Sequence, residues 1–178
     1  MAVSQEVVVT LLRETGSAWT EAIRDVTDIQ FAFKPAPDKW SIAETAEHVT
    51  FVEASSGKLI RTKLTEQAAD EATLAATVGK EQIIESLNLR ERIIPAPEMV
   101  QPKGRWGSNA EMMAAFEDRR NQTVQFMESS GLDLRKHALP HPLLGMLNGY
   151  QWGYFMALHC RRHIAQIREI MASPEYPA

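Results

Sequence analysis

The sequence predicts an all-α protein, a four-helix bundle with a long crossover connection between its second and third long helices. Three observations point there. Apolar residues recur at i, i+3, i+4 and i+7 through four long segments, the pattern of helices with one buried face. Two of these segments open on Ser-x-x-Glu, Ser41 with Glu44 and Ser108 with Glu111, the residue pair of a capping box. No segment alternates with period 2 for long enough to suggest a strand.

The first helix runs from about Ser4 to Val26, with Val8, Leu11, Leu12, Trp19, Ile23 and Val26 on one face. In the QFAFKPAPDKW stretch that follows, Pro35 and Pro37 prevent continuation, because proline lacks the amide N–H and crowds the preceding turn. The second helix starts at Ser41, carries Ile42, Ala46, Val49, Val52, Leu59 and Ile60, and is expected to end near Thr65. Between Glu66 and Gly107 the pattern is weaker. Lys80 to Ile94 can form a helix, closed by Pro95, Pro97 and Pro102, and PAPEMVQPKGRWG reads as a long loop. A connection of this size suits a crossover better than a tight turn between neighbours. The third long helix opens at Ser108, carries Met112, Phe116, Thr123, Phe126 and Met127, and stops at Gly131, a natural C-terminal cap. A loop with His141–Pro142 and Gly145 leads to the last helix, about Leu147 to Ala172, ended by Pro174.

A chain of 178 residues, 44% hydrophobic and 24% charged, is expected to form one domain over residues 1–178 with a core that needs no staples. The net charge of -4, with basic residues scattered, gives no footprint for nucleic acid or an anionic membrane surface. A single cysteine, Cys160, excludes an internal disulfide framework. The N-terminal MAVSQEVVVTLLRETG lacks the basic start and cleavage site of a secretory signal, so a soluble cytoplasmic protein is expected.

The chemistry-bearing feature is the pair His159 and His163 in LNGYQWGYFMALHCRRHIAQIREI. Positions i and i+4 of a helix share a face, and Trp152, Phe155, Met156, Ile167 and Ile170 form an apolar stripe on which both rings lie. A buried imidazole without a partner costs about 1–3 kcal/mol, so each ring must be hydrogen-bonded, ligated or exposed. His48 is the best third partner, because Thr45, Phe51 and Val52 place it beside the core-facing sector of the second helix. His137 and His141 fall in a proline-containing loop, where exposure to solvent is expected. Three neutral imidazoles with an open fourth position make a reactive metal site. The zincin HExxH pattern and the Glu-x-x-His of di-iron bundles are both absent. At this level a metal centre and a set of core histidines with ordinary partners both remain open.

WSIAETAEHV at Trp40 to Val49, HPLLG at His141 to Gly145 and LHCRRHIAQI at Leu158 to Ile167 resemble the DinB-like family of metal-binding four-helix bundles, in order and over nearly the whole chain. The resemblance implies a divalent metal, zinc or nickel, held by His48, His159 and His163. It also implies a homodimer acting on a small-molecule substrate. The corresponding activity is activation of a low-molecular-weight thiol for S-transfer to an electrophile. The alternatives are a metal-dependent hydrolase using metal-bound hydroxide and a metal-binding stress-response module without turnover. No general base is identified, and the catalytic residues stay unassigned.

The remaining polar residues have plainer readings. Glu44 lies one turn before His48 and can orient it, although its capping role already explains it. Arg119 or Arg120 offers a contact for an anionic substrate, with a solvated charged face favoured. Arg161 and Arg162 are read at the helix margin, Trp40 and Trp106 as core edges, and Cys160 as a packing residue. Gln166, one turn beyond His163, is expected to make a hydrogen bond inside the bundle.

Overall fold

Each long helix begins where a side chain can hold the orphan N–H groups of its first turn. A computed structural model of the chain, describing residues 2–91 and 94–178, has the elements α1 (Gln5–Ile23), α2 (Asp28–Ala32), α3 (Ile42–Arg61), α4 (Glu71–Ala75), α5 (Lys80–Leu87), α6 (Asn109–Ser129), β1 (Ala138–His141), β2 (Gly145–Asn148) and α7 (Gly149–Met171). Ser4 caps α1, Ser41 with Glu44 forms a complete capping box on α3, and Asn148 with Gln151 forms another on α7. The expected box at Ser108 is only half made. Ser108 accepts from the Glu111 N–H, but the Glu111 carboxylate reaches one residue further back, to the Gly107 N–H at 3.0 Å. At the other end of α6, Gly131 takes φ 68°, a left-handed value that suits the residue beyond a helix cap.

Some boundaries differ from expectation. Helix α1 ends at Ile23 and α3 at Arg61, followed by a 3₁₀ turn over Lys63–Thr65. The helix expected over Lys80 to Ile94 stops at Leu87, where the Asn88 side chain turns back onto the Ile84 carbonyl; Arg92 and Ile93 lie outside the described residues. The larger correction is the antiparallel hairpin β1–β2, registered from Ala138↔Asn148 to His141↔Gly145. Strands of four residues, one containing Pro140, are too short to show alternation. Gly145, at φ 71°, closes the turn.

The ordering of contacts along the helices fixes the topology. Cross-contacts run in the same sense between α1 and α7 (Gln5 with Tyr150, Thr15 with Cys160) and between α3 and α6 (Glu53 with Arg120, Arg61 with Thr123). They run in opposite senses between α1 and α6 (Arg13 with Glu128, Thr20 with Glu117) and between α3 and α7 (Thr45 with Gln166, His48 with His159). The bundle is therefore up-down-down-up. Parallel neighbours α3 and α6 require the crossover, which carries α4 and α5.

Two apolar clusters fill the interior, one around Leu12, Ile60, Leu147 and Met156, the other around Trp19, Ile42, Phe116 and Ile167. A polar layer lies between these positions on all four helices: Thr15, Glu53, Arg120 and Cys160. The Arg120 guanidinium grips Glu53 through two bonds of 2.8 and 2.9 Å and also donates to the Leu12 carbonyl and the Thr15 hydroxyl. Arg120 is thus neither on a solvated face nor available to a substrate, because it is 3% exposed. Burial alone would lower its pKa, and Glu53 more than reverses this. Arg119, next to it, is exposed and pairs with Asp118. Cys160 packs in the same layer, as expected, and burial pushes its thiol up to about 12.

Candidate metal centre

Because α3 and α7 run antiparallel, the second turn of α3 meets the middle of α7, and His48, His159 and His163 come together. Their ligating nitrogens lie within 4.8 Å of one another, the one such group of metal-ligating side chains among the described residues. His48 Nε2 is 3.0 Å from His159 Nε2. Tetrahedral donors about 2.1 Å from a zinc ion are separated by about 3.4 Å, so the cluster is already close to the required spread.

The outer nitrogens settle which lone pairs face inward. His48 Nδ1–H donates to the Val100 carbonyl at 2.8 Å, and His163 Nδ1–H donates to Gln166 Oε1 at 2.9 Å. Gln166 then donates to the Thr45 hydroxyl, which donates to the Ser41 carbonyl. With the protons on Nδ1, Nε2 of His48 and of His163 is an acceptor, the state a metal needs. Burial pushes all three imidazole pKa values down, His163 to about 3; repulsion from the neighbouring rings adds to this at His159 and His163, and the Arg105 charge adds to it at His48. These are neutral nitrogen donors at ordinary pH, and they fit a divalent ion that takes imidazole ligands.

The centre opens on a cleft of ≈ 1040 Å³ whose apolar walls include Trp40, Phe51, Leu59, Met99, Trp152 and Phe155. Trp40 belongs to this wall and not merely to the edge of the core, its ring centroid lying 5.1 Å from that of His48. His141 also departs from expectation. The hairpin carries it inward, between Trp152 and Phe155, where it is 9% exposed and burial lowers its pKa to about 4. His137 stays apart from the centre, bonded to the Leu64 and Gln67 carbonyls. Arg162, at the cleft, donates to the Leu89 carbonyl.

Glu44 keeps to its cap and to Lys34, so it does not orient His48. That role belongs to Val100, and Glu47 secures the segment that follows it. The Glu47 carboxylate accepts from the backbone N–H groups of Lys103, Gly104 and Arg105 and from the Arg105 guanidinium. Only a contact map links this helix residue to a loop 56 residues later, so no local sequence signal reveals it.

Comparison with known proteins agrees with this fold. The model of the DinB superfamily matches residues 11–167. The chain belongs to the DinB superfamily. It is 24% identical over 152 residues to the uncharacterized protein YuaE of Bacillus subtilis strain 168, covering 85% of this chain and 89% of that one. Among solved structures it resembles Bacillus subtilis YfiT, described as a probable metal-dependent hydrolase with an unusual four-helix bundle topology. The TM-score is 0.68 at 15% identity, over 96% of this chain and 89% of that one. A second four-helix bundle protein, TT2238, aligns with a TM-score of 0.59 at 17% identity, over 93% and 99% of the two chains. At such identities the structural matches establish the fold. No helix among the described residues is long and apolar enough to cross a membrane.

Proposed function

We propose that this DinB-superfamily protein is a metal-dependent enzyme that activates a small thiol for S-transfer to an apolar electrophile. The observation that carries the reading is the set of three inward-facing, neutral imidazoles at the wall of a large apolar cleft. A zinc or nickel ion held by His48, His159 and His163 would lower the pKa of a thiol or water so that the nucleophile exists near neutral pH.

The chain's own residues supply the rest. Val100 and Gln166 hold the Nδ1 protons, keep two ligand rings in one tautomer and fix their orientation. Trp40, Phe51, Trp152 and Phe155 exclude water and favour an uncharged, hydrophobic partner. At ≈ 1040 Å³ the cleft reaches the upper end of ordinary ligand sites, about 300–1,000 Å³, leaving room for a cosubstrate beside the electrophile. In the transfer, the sulfur–carbon bond forms as the bond to the leaving group breaks, and the thiol proton passes to solvent.

Hydrolysis is the second reading, favoured by the description of YfiT. One experiment separates the two. Zinc-loaded protein is mixed with a haloarene or epoxide in the presence of the common bacterial thiols, and in parallel with a 4-nitrophenyl ester and no thiol. S-transfer predicts thiol-dependent adduct formation that disappears in His159→Ala while the fold persists by circular dichroism. Ester cleavage without thiol consumption would replace transfer by hydrolysis. Metal below about a tenth of an equivalent, with no uptake of added zinc or nickel, would remove both readings.

A further inference from the structure

The cleft contains a fourth histidine that the metal group does not use. His141 ends β1 at the start of the hairpin turn, its ring edge-on to Phe155 at 4.4 Å and tilted on Trp152 at 5.0 Å. It lies outside the cluster of converging nitrogens, although it lines the same cleft.

Its tautomer also argues against a ligand role. The Leu143 backbone N–H donates to His141 Nδ1 at 3.2 Å, occupying that lone pair. In the neutral ring the proton then sits on Nε2. A ring presenting N–H rather than a lone pair cannot ligate a metal without surrendering the bond from Leu143. Among the described residues Nε2 has no hydrogen-bond partner, and it is not one of the fully buried polar atoms left unsatisfied. Nε2 therefore keeps some exposure, on a residue that lines the cleft. A lone N–H framed by two aromatic rings is a poor site for a cation. Its neutral ring also gives an anion little to pair with. It suits an uncharged acceptor on an otherwise apolar molecule.

We propose that His141 is the substrate-orienting donor of the cleft: its Nε2–H binds a neutral oxygen, such as a carbonyl, of an apolar substrate lodged against Trp152 and Phe155. The inference rests on the reading of this cleft as the substrate site, and it holds whether or not the metal reading does.

The test uses two probes of one shape, benzophenone and diphenylmethane, which differ by the carbonyl. Each displaces the fluorescent hydrophobe N-phenyl-1-naphthylamine from the 178-residue chain, with zinc and with chelator. The ratio of the two affinities cancels their different hydrophobicities when wild type and variant are compared. In His141→Phe the preference for benzophenone should fall about three- to tenfold, the size of one net hydrogen bond, and His141→Gln should restore part of it. Because His141 packs on Trp152, a second measurement stands apart from folding of the variants. In wild-type protein the His141 Nε2–H resonance should shift on adding benzophenone and stay put with diphenylmethane. An unchanged affinity ratio in His141→Phe, an unmoved resonance, or failure of both probes to displace the dye would overturn the proposal. Since the chelator arm needs no metal, a missing metal centre would leave these outcomes intact and readable.

Discussion

Replacing Glu47 by glutamine tests how the metal centre is held. The carboxylate is 7% exposed and gathers three backbone N–H groups and the Arg105 guanidinium, at distances between 2.6 and 3.3 Å. Burial alone would raise its pKa, but the donors at Lys103, Gly104 and Arg105 outweigh burial and hold it below the usual carboxylate range. Glutamine can keep its oxygen toward Lys103 and Arg105 only by turning its amide NH₂ toward the Gly104 N–H. One donor is then orphaned, at about 1–3 kcal/mol. The partly buried pair with Arg105, whose side chain is 21% exposed, is lost as well and adds about 1 kcal/mol. The expected destabilisation in urea unfolding of the metal-free protein is therefore about 2–4 kcal/mol. The clamp also holds the segment just after Val100, whose carbonyl orients His48, so zinc affinity should fall about tenfold in competition with a chromophoric chelator. A Glu47→Gln protein within about 0.5 kcal/mol of wild type, with zinc affinity unchanged within about twofold, would refute the clamp.

Three further outcomes follow from the same geometry. Gln166→Leu removes the acceptor of His163 Nδ1–H and should weaken zinc binding about 10- to 100-fold, with chelator competition as the measurement and unchanged affinity as the contrary result. Arg120→Met strands the buried Glu53 carboxylate and should cost about 3–5 kcal/mol in denaturant unfolding, whereas adding Glu53→Leu should recover much of that loss. For pH, His141 and His163 titrate near about 4 and about 3 in the folded chain, against 6.5 unfolded. Above that unfolded value both states are neutral. Below it only the unfolded rings take up protons, so stability of the metal-free protein should fall with falling pH by up to about 1.4 kcal/mol per unit for each ring. Most of this fall should lie between the unfolded and folded values, and urea midpoints that hold constant from pH 7 to 5 would contradict it.

How much of this was legible depended on whether the signal was local. Helix faces and caps are written within a few residues, which is why Ser41–Glu44 and the stripe through Phe155 and Ile167 matched the fold. The histidine cluster was legible because two of its members share one helix face. Arg120 was misread because its partner Glu53 lies 67 residues away, and a charge on a helix looks solvated until its neighbour is known. His141 was misread for another reason. A strand of four residues with a proline carries no pattern, so nothing marked the backbone that turns the ring inward. Trp40 lies at a helix entrance, and only the position of the 94–101 segment reveals that it faces a cleft.

The up-down-down-up order has a consequence for the history of each molecule. His48 is 111 residues from His159, and the two meet only after the crossover and the final helix are in place. His159 and His163 are brought together by one helix turn, whereas joining His48 to them costs the entropy of closing a long loop, which only the packed bundle offsets. Three-point capture of an ion would thus require α3 and α7 to be docked, and an occupied centre would report a packed bundle.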